Sequence, residues 1–134
     1  MKKTILSKID YLRLKNYIQK KGPISIKHDL ERLDVVLDTA ELVNPEIIPS
    51  DVVTMNSRIR IKDMELDEEY ICTLNYPNQT YISEENCSIL TPMGTALLGS
   101  KVGDLIICNM TYNSITMRVE EILYQPEAAC DFHL

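Results

Sequence analysis

Thiols offer the widest chemistry in this chain, and there are four of them, Cys72, Cys87, Cys108 and Cys130. Zinc sites commonly draw on C-x-x-C pairs completed by further thiolates or histidines, and these four thiols lie far apart with no C-x-x-C pair. Of the two histidines, His28 lies far from every thiol and His133 follows Cys130 by three residues, which falls short of a zinc ligand set, so no metal site and no cofactor are predicted. Disulfide scaffolds pack their cysteines more densely than this chain does. Spacing alone leaves disulfides open, and the expected state is four reduced thiols in the core or on the surface. His133, next to the last residue, is read as solvent-exposed. No catalytic residue is predicted.

The remaining candidates are binding residues. A turn Lys20-Lys21-Gly22-Pro23 presents two cations together, and two further stretches stand out, Val52-Val53-Thr54-Met55-Asn56-Ser57-Arg58 and Thr91-Pro92-Met93-Gly94-Thr95-Ala96-Leu97-Leu98-Gly99. These stretches point to docking rather than to catalysis. The net charge of −6 hides an ordered distribution: residues 1–27 hold eight Lys/Arg and one acid, residues 28–46 one base and six acids, and residues 47–134 five bases and thirteen acids. A basic arm joined to an acidic body fits an anionic partner, or more simply a basic helix lying against an acidic one.

The elements that would position these residues follow from periodicity. Ser7 and Asp10 form a capping pattern, and a helix is predicted from there through Ile9, Leu12, Leu14 and Ile18. Gly22-Pro23 stops it, since proline cannot continue the hydrogen-bond ladder. Ile26, Leu30, Leu33, Leu37 and Ala40, spaced by fours and threes, predict a second helix reaching Asn44-Pro45. Residues 1–46 thus read as a short antiparallel helical hairpin. Pro45 to Ser50, with prolines at 45 and 49, reads as an extended connector.

From Val52 the pattern alternates, with Val53, Met55, Ile59 and Ile61 on one face and Thr54, Asn56, Arg58, Arg60 and Lys62 on the other, which predicts one half-buried strand. Further strands are predicted at Tyr70 to Tyr76, Ser88 to Leu90, Leu105 to Met110 and Ile115 to Tyr124, with loops at Asp63 to Glu69 and Pro77 to Asn86. Thr91-Pro92 supplies an N-cap with proline at the first helical position, so a short helix ends at Gly99. The expected class is α+β: a helical hairpin, then residues 47–134 as a curled antiparallel sheet with one short helix. At 134 residues and 45% hydrophobic content the chain supports a modest core without staples. No run of apolar residues is long enough to span a bilayer and Met1-Lys2-Lys3 lacks an apolar leader, so a cytoplasmic protein is expected.

Val52 to Arg58, Pro92 to Gly99 with Val102-Gly103-Asp104, and the tail Tyr124-Gln125-Pro126-Glu127-Ala128-Ala129 resemble the GreA/GreB transcription elongation factors, in particular their short members, the regulators of nucleoside diphosphate kinase (Rnk). The resemblance covers nearly the whole chain. It implies an N-terminal coiled coil and a C-terminal domain of FKBP-like fold that binds RNA polymerase at the rim of its secondary channel. In Gre factors acidic residues at the coil tip help hold the catalytic magnesium that cleaves backtracked RNA. Here the helices are expected to run about 14 to 18 residues, or ~21 to 27 Å, too short to reach the active centre. The tip charge is also wrong, because Lys20 and Lys21 would repel a cation that needs anionic oxygen ligands.

By that resemblance Thr91, Pro92 and Met93 are the first partner-binding candidates, a proline-fixed segment carrying a flexible thioether. The plainer reading is that Pro92 starts the helix and Met93 fills the core. Asn56 and Arg58 are secondary candidates against an ordinary solvated strand face. Cys130 stands where the family has glycine, and a positive φ there would strain it. The expected function is a non-enzymatic, monomeric transcription regulator without cleavage stimulation, affecting nucleoside diphosphate kinase only indirectly. One alternative is an FKBP-type peptidyl-prolyl isomerase, since fold does not decide function, but one Phe, no Trp and seven dispersed Tyr make a poor aromatic pocket. The other is direct DNA binding through Lys2, Lys3, Lys8, Arg13, Lys15, Lys20 and Lys21, which the acidic body and the lack of a reading motif weigh against.

Overall fold

The computed structural model describes residues 4–20, 27–76, 86–109 and 113–130. Strand β1 (Ile5–Ser7) leads into helix α1 (Lys8–Gln19), which Ser7 caps by accepting the Asp10 amide at 3.1 Å. Helix α2 covers Lys27–Thr39 and buries Leu30, Leu33 and Leu37, the predicted stripe. Ile26 lies outside the described residues. In α1 the stripe is corrected: Leu12 is 65% exposed, and the inward positions are Leu14 and Asp10. Residues two apart cannot share a helix face, so Leu12 and Leu14 compete and the position four residues from Asp10 wins.

Helix α2 stops at Thr39, short of the predicted Asn44. Glu41–Val43 instead form β2, which pairs in parallel with β1, and the Glu41 amide donates to the Thr4 carbonyl at 2.8 Å. A distant partner strand outcompetes helix continuation. The Pro45 to Ser50 connector is likewise not extended throughout, because Pro45–Ile47 form a 3-10 turn. Between the helices, Lys15 holds Asp34 at 2.6 Å and Asp38 at 2.9 Å, basic helix against acidic helix.

The main sheet has five strands in the order β5-β4-β3-β7-β6, with β3 at Arg58–Asp63, β4 at Glu68–Asn75, β5 at Asn86–Ser88, β6 at Leu105–Asn109 and β7 at Ser114–Tyr124. It is not wholly antiparallel as expected, since β5 runs parallel to β4. Two register shifts against β7, at Arg58/Ile59 and Arg60/Ile61, curl the sheet as bulges do. Helix α3 (Pro92–Leu97) is capped by Thr91, whose hydroxyl accepts the Gly94 amide at 3.0 Å. It packs so tightly that a Cβ on Gly94 would lie 2.0 Å from the Ser88 carbonyl oxygen.

The predicted strand from Val52 starts only at Arg58. Residues 54–57 form a turn in which the Ser57 amide donates to the Thr54 carbonyl and Asn56 takes φ 66°, a conformation asparagine tolerates. Thr54 and Ser57 are fully buried there, against the outward face expected for Thr54. One apolar cluster joins Leu14, Leu30, Leu33 and Leu37 of the helices to Ile59, Leu74, Leu97 and Val119 of the body. Among the described residues, no helix is long and apolar enough to cross a membrane.

Candidate functional site

Helix α3 orients the first three candidates differently. Thr91 is committed to structure, since its hydroxyl donates to the Ser88 carbonyl at 2.7 Å while accepting from Gly94. Pro92, fixed at the start of α3 where no amide hydrogen is needed, lines a cleft of about 290 Å³ with Arg32 and Val36 of α2, Ala96, and Ile107 of β6. Met93 turns the other way, packs in part against the core, and lines a larger cleft of about 640 Å³ over the curled sheet with Ile61, Tyr70, Cys72, Cys87 and Met117. The two residues therefore serve two surfaces, not one contact.

The Pro92 cleft opens on apolar side chains. Strand β6 is a sheet edge, and its Leu105 and Ile107 are 60% and 64% exposed. Across the cleft, the Arg32 guanidinium bridges the Asp29 carboxylate at 2.7 Å and the Leu90 carbonyl at 2.6 Å, which ties α2 to the approach of α3. An exposed apolar edge beside one cation suits a partner with apolar side chains and a carboxylate.

Asn56 and Arg58 lie apart from this surface, Asn56 in the buried-cored turn and Arg58 on β3 opposite Thr73 and Tyr124. The Asn56 amide donates to the Leu74 carbonyl at 2.6 Å, so the backbone of Asn56 serves the fold. Beside it stands a polar junction. Asp10 is 2% exposed, and its carboxylate accepts the Met55 amide at 3.2 Å and the Tyr76 hydroxyl at 3.3 Å. Burial raises its pKa to about 7, helped by the Glu127 carboxylate and opposed by the Met55 amide, Arg13 and Tyr76. Glu127 in turn accepts the Thr54 hydroxyl at 2.7 Å, and Gln125 donates to the Pro49 and Val52 carbonyls. Sealed from solvent, this carboxyl group positions α1 and meets no substrate.

At the tip, Lys20 closes α1, its amide donating to the Tyr17 carbonyl at 3.2 Å, while Lys21, Gly22 and Pro23 lie outside the described residues. Helix α1 has 12 residues and so spans ~18 Å, shorter than expected. Cys130 takes φ 62°, the left-handed conformation that its place in the tail raised as a question. His133 and residues 131–134 lie outside the described residues. Among the described residues, no three His, Cys, Asp or Glu side chains group as metal ligands.

The C-terminal domain of GreA/GreB transcription elongation factors matches residues 48–124. The chain belongs to this family. A relative in Escherichia coli (strain K12), the regulator of nucleoside diphosphate kinase, is 41% identical over 105 residues, which cover 78% of this chain and 77% of that protein. The transcription elongation factor GreA of Acetivibrio thermocellus is 35% identical over 96 residues, or 68% of this chain and 57% of its own length. Among solved structures, a prokaryotic GreA/GreB factor from Nitrosomonas europaea superposes with a TM-score of 0.75 at 35% identity, covering 92% of this chain and 100% of that one.

Within this GreA/GreB-family chain, sequence reasoning singled out the α3 segment and passed over Arg32, Ile107 and Asp10, which the structure places at the Pro92 cleft and the buried junction. Ile107 carried a signal, since β6 is uniformly apolar over Leu105-Ile106-Ile107-Cys108 where a half-exposed strand should alternate. Asp10 sits at a helix start, where an acid is ordinary, and gave none.

Proposed function

We propose that the chain is a non-enzymatic, cytoplasmic transcription regulator that docks as a monomer on RNA polymerase, at the rim of the secondary channel, and does not stimulate transcript cleavage. It would do so as two parts, a short helical hairpin over 1–46 and an FKBP-like domain over 47–134. The observation that carries the reading is the cleft at half-buried Pro92 and exposed Ile107, two residues inside the stretch shared with the GreA/GreB C-terminal domain. Regulation of nucleoside diphosphate kinase, the activity in the name of the Escherichia coli relative, would follow indirectly through transcription.

Loss of cleavage stimulation is supported by the ~18 Å reach of α1 and by Lys20 near the tip, a cation where a metal would need carboxylates. The isomerase alternative finds little support, since among the described side chains lining the Met93 cleft Tyr70 is the single aromatic. DNA binding through α1 finds little either, because Lys15 is engaged by two aspartates of α2. The test uses purified core RNA polymerase and a backtracked complex with labelled RNA. Wild type should bind, should leave the RNA uncleaved, and in excess should inhibit cleavage by a Gre factor. Absence of binding would overturn the docking reading, and cleavage by wild type would overturn the reach argument.

A further inference from the structure

The two edges of the main sheet are finished differently. Strand β5 is three residues long and offers little to pair with, whereas β6 runs five residues, Leu105–Asn109, with no charge and no proline to blunt it. The bonds that open the pair between β6 and β7 fix its phase. The Gly103 amide donates to the Val119 carbonyl at 2.7 Å and the Val119 amide to the Asp104 carbonyl at 3.1 Å, which sets Asp104 opposite Val119 as a hydrogen-bonded pair. Antiparallel pairs alternate, so Ile106 and Cys108 turn their amides and carbonyls to Met117 and Ile115 of β7, and Leu105 and Ile107 turn theirs to the open side. Among the described residues, no backbone bond reaches Leu105 or Ile107 from that side.

We propose that the open side of β6 is a strand-acceptor site, which takes an extended segment of a partner protein as a sixth strand, apolar over its middle and carrying a carboxylate for Arg32. A row of free amides and carbonyls at strand spacing is complemented by another extended backbone, the pairing that strand addition uses. The side chains around it set what that segment carries. Ile106 and Cys108 face the core, where α3 packs, and Ile107 faces away from it, so a cleft that touches both Ile107 and α3 lies round the open edge. An added strand lays one row of side chains in that cleft, against Pro92, Ala96 and Val36, and the other beside the exposed Leu105 and Ile107, so both rows are apolar. Arg32 lines the same cleft, and its Nε is buried with no hydrogen-bond partner, a donor that a carboxylate satisfies.

A second copy of this chain fits the edge less well. Leu105–Asn109 holds no carboxylate to meet Arg32, and each copy brings a net charge of −6 to the contact. The site shares its face with the docking reading and goes beyond it. Docking requires only that this surface be covered, and strand addition requires that the Leu105 and Ile107 backbone be paired, so either can fail alone.

The experiment is amide hydrogen exchange of the full chain by NMR, with an acetylated peptide, Lys-Thr-Val-Ile-Val-Thr-Glu, as the probe. In the free protein the Leu105 and Ile107 amides should exchange fast and those of Ile106 and Cys108 slowly. Saturating peptide should slow Leu105 and Ile107 by about tenfold or more and leave Ile106 and Cys108 little changed. Two versions of the peptide, N-methylated on alternate residues, block one edge each: one should bind like the parent, the other about tenfold more weakly. Gln in place of the terminal Glu should weaken binding about threefold. Ile107→Pro removes an amide that β7 does not use, so Ile106 and Cys108 should stay protected while peptide binding falls about tenfold. Equal binding of the two methylated peptides, unchanged exchange at Leu105 and Ile107, indifference to Glu or Gln, no binding of the parent peptide, or a dimer of the chain paired through β6 would each overturn the proposal. Core polymerase bound where the peptide is not leaves docking standing and strand addition refuted, and peptide bound where polymerase is not does the reverse.

Discussion

The junction around Asp10 and the face around Pro92 depart from ordinary polarity in opposite senses. At the junction, charged and hydroxyl groups are buried and hydrogen-bonded: Asp10 to the Met55 amide and Tyr76, Thr54 to Ser57 and Glu127. At the Pro92 face, apolar Leu105 and Ile107 are exposed with no described element to cover them. A buried polar group is tolerated when its partners fix one geometry, so the junction sets how α1 meets the body. An exposed apolar edge is a surface that a partner could cover, and it is this face that the docking proposal uses.

The contrast breaks most severely at Gly94. Gly94→Ala drives a methyl group into the Ser88 carbonyl, and α3 must lift, at a cost of about 3 kcal/mol. Chemical denaturation should register that loss, and polymerase binding should fall with it. A change within ~0.5 kcal/mol would show that α3 is not clamped there.

Asp10 is next. Asp10→Ala leaves the Met55 amide and the Tyr76 hydroxyl without their acceptor, a loss of about 2 kcal/mol. Asp10→Asn keeps an acceptor and removes the titration. The folded-state pKa of Asp10 is raised above its unfolded value, from 3.8 to about 7, so its stabilising contribution is fully present below pH 3.8. It declines as pH rises through that window and is lost above about 7, with a slope of up to ~1.4 kcal/mol per pH unit. Urea denaturation from pH 4 to 8 should show this decline in wild type and a flatter profile in Asp10→Asn. Parallel profiles would remove Asp10 as the cause.

Ile107→Glu probes the other side of the comparison. The side chain is exposed, so stability should change by no more than ~0.5 kcal/mol, whereas affinity for core polymerase should drop about tenfold, or ~1.4 kcal/mol. Unchanged affinity would separate docking from the Pro92 face. The smallest effect is a gain: Cys130→Gly relieves a left-handed conformation and should stabilise the fold by about 1 kcal/mol, read as a small rise in Tm. No gain would mean that the tail absorbs the strain elsewhere.

Local signals were legible wherever one stretch of chain decides its own conformation. Ser7 and Thr91 cap helices because their hydroxyls meet an amide three residues on, and Leu30, Leu33 and Leu37 share a face because the helix repeat puts them there. The α3 candidates were read in the same way, from a cap, a proline and a glycine. Long-range competition was not legible. β2 forms because β1, 36 residues away by the Ile5 to Glu41 register, offers a pairing that helix continuation cannot match. Val52 to Ser57 alternates like a strand, yet bends because Leu74 claims its hydrogen bonds and the tail residues Gln125 and Glu127 hold it.

Composition, caps, periodicity and a family pattern were therefore enough to determine the helices, the strands from β3 onward in outline, the α3 segment and the family of the chain. Tertiary structure alone decided that Asp10 is buried, that Pro92 and Met93 face different clefts and that Ile107 stands open. The reason is that burial and proximity depend on the residues brought close by distant parts of the chain, and the sequence around Asp10 or Pro92 contains no record of those neighbours.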